Sequence, residues 1–128
     1  MKYVSAHSNQ GICPDGWYVP TIEDFHALGA FVNENGNALK AEGAGSSEYP
    51  KGIGTNESGW TGLLSGTTFQ ENAYTDPLQF ATGFPRWWSS TESSDDRGNN
   101  FGLFTWVPNT FYEEFPKTWA LSIRCLKE

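Results

Sequence analysis

The chain is short of cations, of cysteine and of long apolar runs. Only 8 of its 128 residues are Lys or Arg, against 15 Asp or Glu, for a formal net charge of -7. Nucleic-acid phosphates and anionic membrane surfaces are met by basic footprints, so this balance argues against nucleic acid as a partner. No apolar stretch approaches the length of a membrane-spanning helix, and Met1-Lys2-Tyr3-Val4-Ser5 has no apolar signal core. Membrane insertion is therefore not expected. A leader already removed and a route that needs none both fit these residues. There are 2 cysteines and 2 histidines, with no second Cys or His at zinc-ligand spacing. Cys13 and Cys125 lie near opposite ends and admit two readings. If the ends meet they form one disulfide, worth about 4–5 kcal/mol by chain entropy and implying an oxidising compartment. Otherwise they are two separate buried thiols. No internal repeat and no Pro/Ser linker divides the chain, so residues 1–128 read as one domain, with 1–10 a peripheral N-terminal segment.

What the chain has in quantity is aromatic residues, 16 % of the total with 6 Trp and 9 Phe, interrupted by 14 Gly and 7 Pro. Such punctuation favours short strands and ordered loops over long helices. Pro14-Asp15-Gly16 reads as a turn into a short strand stopped by Pro20. Thr21 caps a helix over about 21–35 with Asp24 in its first turn, and Ile22, Phe25, Leu28, Phe31 and Val32 recur at helical spacing until Asn35-Gly36 ends it. A weaker helix is expected over 38–42, then a long ordered loop over 43–59. From Trp60 on, short apolar groups alternate with turn residues. Phe101, Leu103, Thr105 and Val107 share one strand face, Phe104 and Trp106 the other, and Leu121, Ile123 and Cys125 line a further strand. The fold class is α+β.

Catalytic chemistry finds little support. There is no Gly-x-Ser-x-Gly, and His7, in a polar segment, and His26, beside Phe25 on the helix, read as surface or partly packed side chains. Glu92, Asp95, Asp96, Glu113 and Glu114 could supply a carboxylate pair, but such runs are by default solvated. Asp95-Asp96-Arg97-Gly98-Asn99 lacks the spacing of an EF-hand loop. Among the aromatics, most of Trp17, Trp60, Trp87 and Trp88 read as core. Phe104, Trp106, Phe111 and Tyr112 divide evenly between core and a binding surface, the last two placed in a loop beside two Glu and expected to form one patch with the first two.

Three segments carry a resemblance: Ile12-Cys13-Pro14-Asp15-Gly16-Trp17-Tyr18-Val19-Pro20-Thr21, Trp87-Trp88-Ser89-Ser90-Thr91-Glu92, and Leu121-Ser122-Ile123-Arg124-Cys125-Leu126-Lys127. With a weaker match at Gly59-Trp60-Thr61-Gly62-Leu63-Leu64-Ser65-Gly66, they resemble the Fibrobacter succinogenes major paralogous domain family. Val19-Pro20-Thr21 before an amphipathic helix also resembles the C-type-lectin-like and formylglycine-generating-enzyme superfamily. That resemblance implies a C-type-lectin-like fold with paired terminal strands, which agrees with a Cys13–Cys125 bridge. It further implies partner binding through variable loops, and in some members the segment matching 99–119 is diversified by retroelements. The sugar-binding calcium motif is lacking, since Val107-Pro108-Asn109 has Val where a carboxylate would ligate. The formylglycine branch uses cysteine chemistry, whereas both cysteines here sit where a structural bridge explains them.

The expected function is thus a non-enzymatic, extracellular or cell-surface ligand-recognition domain, or one displayed on a phage virion, within a larger surface or virion protein. Its ligand is a protein or a glycan, and its contacts are Asn100, Phe104, Trp106, Asn109, Phe111, Tyr112, Glu113 and Trp119. No catalytic residue, metal or cofactor is expected. The alternatives are a small carboxylate-dependent glycan hydrolase and a structural or tip domain of a surface assembly.

Overall fold

A computed structural model describes residues 9–45, 50–64, 67–68, 80–81 and 85–128. His7 lies outside the described residues. The two ends of the chain meet. Pro14-Asp15-Gly16 turns with the Trp17 amide donating to the Pro14 carbonyl at 3.0 Å, and Gly16 takes φ 85°, which costs glycine little. The turn lays β1 (Trp17–Tyr18) antiparallel to β7 (Leu126–Lys127), with Trp17 opposite Lys127 and Tyr18 opposite Leu126. The Cys13–Cys125 disulfide, with Cα atoms 5.9 Å apart, closes a separation of 112 residues beside this pair. Of the two cysteine readings, the bridge is the one found.

Pro20 leads into α1 (Ile22–Phe31). Its cap is reciprocal: the Asp24 amide donates to Thr21 Oγ1 at 3.1 Å, and the Thr21 amide to Asp24 Oδ2 at 2.9 Å. The Ile22 amide donates to Thr91 Oγ1 at 3.0 Å, which fixes the helix start against the strand that carries Thr91. The helix stops short of the expected boundary near residue 35. After the C-cap Val32, Asn33 and Glu34 take φ 55° and 58°, reversing the chain so that Asn35 can bridge Asn109. Phe31, one of the apolar residues at helical spacing, is 75 % exposed at the last position of the helix. The helix expected over 38–42 does not form; a single 3-10 turn, η1 (Gly36–Ala38), capped by Asn35, ends where it was to begin. A second such turn, η2 (Pro50–Gly52), interrupts the loop expected over 43–59.

The main sheet is antiparallel, with β5 (Arg97–Phe104) between β4 (Arg86–Ser94) and β6 (Val107–Pro116). A smaller pair is formed by β2 (Thr67–Thr68) and β3 (Phe80–Ala81). The strand expected to run through 101–107 breaks into a hairpin, because Thr105 and Trp106 form the turn between β5 and β6. Phe111, Tyr112, Glu113 and Glu114 are likewise on β6 and not in a loop. Of the strand expected over 121–125, only a bridge from Ser122 to Trp87 forms, and pairing resumes at β7.

Register decides which side chains meet. Trp87, Phe101 and Tyr112 lie side by side across the sheet, so they share one face. Phe25 of α1 stacks on Phe101 at 4.9 Å, Trp60 meets Trp87 edge-on at 5.0 Å, and Leu39 and Leu103 complete this core. On the opposite face Arg86, Gly102 and Phe111 align. Arg86 is only 3 % exposed, bonded to Glu113 Oε1 at 2.7 Å and surrounded by the rings of Phe104, Phe111 and Phe115 at 5.0, 5.7 and 5.4 Å. A guanidinium is weakly hydrated and sits well on aromatic faces, which is how this second face buries a cation.

Candidate functional site

The early end of α1 sets up a polar concavity. Three asparagines alternate in Asn33-Glu34-Asn35-Gly36-Asn37, and the left-handed pair at Asn33 and Glu34 swings them toward the β5–β6 hairpin. Left-handed φ suits Asn but strains Glu, and strain of this kind concentrates at binding sites. Gly36 packs directly on the Asn109 backbone, leaving no room for a Cβ. With Lys51 from η2 and Pro108 and Asn109 from β6, these residues line an open cleft of about 540 Å³.

Each wall is anchored from behind. The Asn37 side-chain amide donates to the Lys51 carbonyl at 2.7 Å. Glu34 accepts hydrogen bonds from the Tyr112 hydroxyl at 2.8 Å and from Thr110 Oγ1. Burial, helped by that carboxylate, pushes the Tyr112 phenol up to about 12, so it stays a donor over the physiological range. His26 stacks on the Tyr112 ring at 4.0 Å. Beneath the floor Lys40 is fully buried, its ammonium bonded to Asn37 Oδ1, the Gly52 carbonyl and the Val107 carbonyl.

Chemically the cleft offers amides, each able both to donate and to accept, with one cation and one carboxylate. Glycoside hydrolysis uses two opposed carboxyl groups, and Glu34 is the single carboxylate among the described lining residues. Among the described residues no group of three or more His, Cys, Asp or Glu is arranged to hold a metal. Elsewhere a more apolar groove of about 360 Å³ runs between Pro20, Phe25, Leu28, Trp60 and Leu126, with Arg124 stacked on Trp60 at 4.3 Å close by.

The family model of the Fibrobacter succinogenes major domain matches residues 2–127. The chain belongs to that family. No curated protein matches it, and no solved structure does.

In this member of the family the eight expected ligand contacts do not stay together. Asn109 is exposed and lines the cleft. Tyr112 lies behind the cleft, on the helix-facing side of the sheet. Phe104, Trp106 and Phe111 are half-buried and gather around Phe104, which stacks on Phe111 at 4.1 Å on the other face and lies 5.5 Å from Trp106. The single patch expected from Phe104, Trp106, Phe111 and Tyr112 is therefore not found: adjacent residues of a strand point to opposite faces, and Phe111 and Tyr112 are adjacent. Asn100 is fully buried, its amide donating to the Glu113 carbonyl at 3.1 Å. Glu113, 43 % exposed, pairs with Arg86, and Trp119 packs on Phe115 at 4.8 Å. Asn33, Asn35, Asn37 and Lys51 were not legible as site residues. Three asparagines at every second position within 33–37 are a signal, but one that reads equally as a helix stop.

Proposed function

We propose that this domain is a non-enzymatic, extracellular ligand-recognition module of C-type-lectin-like architecture that reads a hydroxyl-rich ligand, foremost a glycan, in the amide-lined cleft beside the turn of the β5–β6 hairpin. The observation that carries the reading is the convergence of Asn33, Asn35, Asn37 and Asn109 with Glu34 and Lys51 on one open cleft. Amides satisfy vicinal hydroxyls as paired donors and acceptors, and adaptable polar groups on a rigid frame are what recognition surfaces use. The paired termini and the Cys13–Cys125 bridge support both the lectin-like architecture and an oxidising location. The 99–119 segment contributes through its Pro108-Asn109 corner, with the aromatic face around Arg86 acting as scaffold.

A screen of the folded domain against an oligosaccharide array and a panel of surface proteins tests this, repeated with a Lys51→Ala/Asn109→Ala double variant. Both side chains are exposed, so the variant should fold normally. Binding should weaken tenfold or more, about 1.4 kcal/mol. Full affinity in a well-folded double variant would move the ligand to another surface.

A further inference from the structure

Lys40 is the point at which the walls of the cleft converge. Its Nζ donates to Asn37 Oδ1 at 3.0 Å, to the Gly52 carbonyl at 2.7 Å and to the Val107 carbonyl at 3.0 Å. Asn37 itself lines the cleft, Gly52 follows Lys51, and Val107 precedes Pro108 and Asn109. An ammonium has three N–H groups and no acceptor, so every donor is used. Among the described residues no carboxylate forms an ion pair with it; the two pairs present are Arg86–Glu113 and Lys117–Glu92. Burying an unpaired charge costs free energy that an apolar side chain of similar length would avoid. What the ammonium alone provides is three carbonyl oxygens, from three separate segments, held about one atom.

We infer that Lys40 is the positioning residue of the cleft: its ammonium sets the spacing between the 33–37 segment, Lys51 and the Pro108-Asn109 corner, so that the proton it carries governs the cleft's shape. The functional meaning of this rests on the cleft being the ligand site, while the geometry does not. Burial holds the Lys40 amine down to about 8. The ionisable groups on the surrounding elements are Glu34 and Glu42 on its own stretch of chain, Lys51 on η2, Glu57 in the following loop, and Tyr112, Glu113 and Glu114 on β6. When Lys40 loses a proton, the amine keeps two N–H groups and gains a lone pair. One of its three carbonyls then has no donor, and the cleft relaxes, while the main sheet keeps its own ladder of hydrogen bonds.

The test is a nitrogen-15 NMR titration of the unliganded domain from about pH 6.5 to about pH 9.5, a range spanning the depressed lysine value and stopping short of the ordinary one. The Asn37 side-chain amide and the backbone amides of Ile53 and Asn109 should move together with one midpoint near 8, while Phe101 in the middle of β5 stays still. Lys40→Met should abolish the common midpoint. Lys40→Arg, which cannot lose its charge, should hold the cleft signals flat across the range. A wild-type titration without a shared midpoint, or one that persists in either variant, would overturn the role. If Lys40→Met fails to fold, the wild-type profile and Lys40→Arg decide. Because no ligand is present, a failed glycan screen leaves this result standing, and a flat titration removes Lys40 without touching the glycan reading.

Discussion

Gly29 of α1 and Tyr112 of β6 approach so closely that a Cβ on Gly29 would run into the Tyr112 hydroxyl. A glycine inside a helix ordinarily costs stability, by about 0.5–1 kcal/mol relative to alanine. Here it permits the phenol to reach Glu34, which ties the helix end to the sheet. Gly29→Ala should therefore invert the usual sign and destabilise the fold by about 1–3 kcal/mol, the common cost of overpacking. Urea denaturation of the variant checks this. A gain in stability would mean that α1 and β6 separate easily.

The second face of the sheet should react differently to the loss of each partner in its ion pair. Glu113→Gln leaves the Arg86 guanidinium buried among three rings with its carboxylate gone, and should cost about 1–3 kcal/mol, less than for a fully buried pair because Glu113 is 43 % exposed. Arg86→Met removes the charge and fills the cage with apolar volume, so it should be close to neutral or stabilising. Denaturation midpoints of the two single variants measure the contrast. Equal losses would show that packing around Arg86, and not its charge, governs this face.

Opening the Cys13–Cys125 bridge should cost about 4–5 kcal/mol if chain entropy dominates, since the bridge spans 112 residues. A Cys13→Ser/Cys125→Ser variant compared with the oxidised parent by thermal melting gives the number, and intact mass with and without reductant verifies the bond. A melting temperature unmoved by the double substitution would show that the β1–β7 pair closes the chain unaided.

A buried lysine and a half-buried tyrosine give the stability a rise and a fall at alkaline pH. Lys40 has a folded value of about 8, below its ordinary 10.5, so between those values the unfolded chain binds more protons and stability increases with pH. Tyr112 is raised from 10.0 to about 12, so its contribution is complete below 10 and disappears as pH climbs through 12. Denaturation midpoints should climb above pH 8 and decline beyond pH 10. Lys40→Met should remove the climb and Tyr112→Phe the decline. A profile that falls steadily from pH 8 would contradict the burial of Lys40.

Local chemistry made several features legible in the sequence. Thr21 and Asp24 sit at capping distance before an apolar stripe, so the start of α1 follows from side-chain hydrogen bonding alone. Pro14-Asp15-Gly16 and the two distant cysteines, read with the family resemblance, gave the meeting of the termini. What the tertiary structure decided depends on contacts between distant segments. The helix ends at Phe31 because Asn35 must bridge Asn109, a partner remote in sequence, and no local periodicity records that demand. Strand alternation placed Phe104 and Trp106 together, but the hairpin turn at Thr105 and Trp106 and the β6 register fixed where Phe111 and Tyr112 point, sending them to opposite faces. Nothing in the local sequence marks Lys40 as buried. Only the arrival of Gly52 and Val107 around its Nζ makes it the buried cation of the cleft, because burial and hydrogen bonding are properties of the assembled fold.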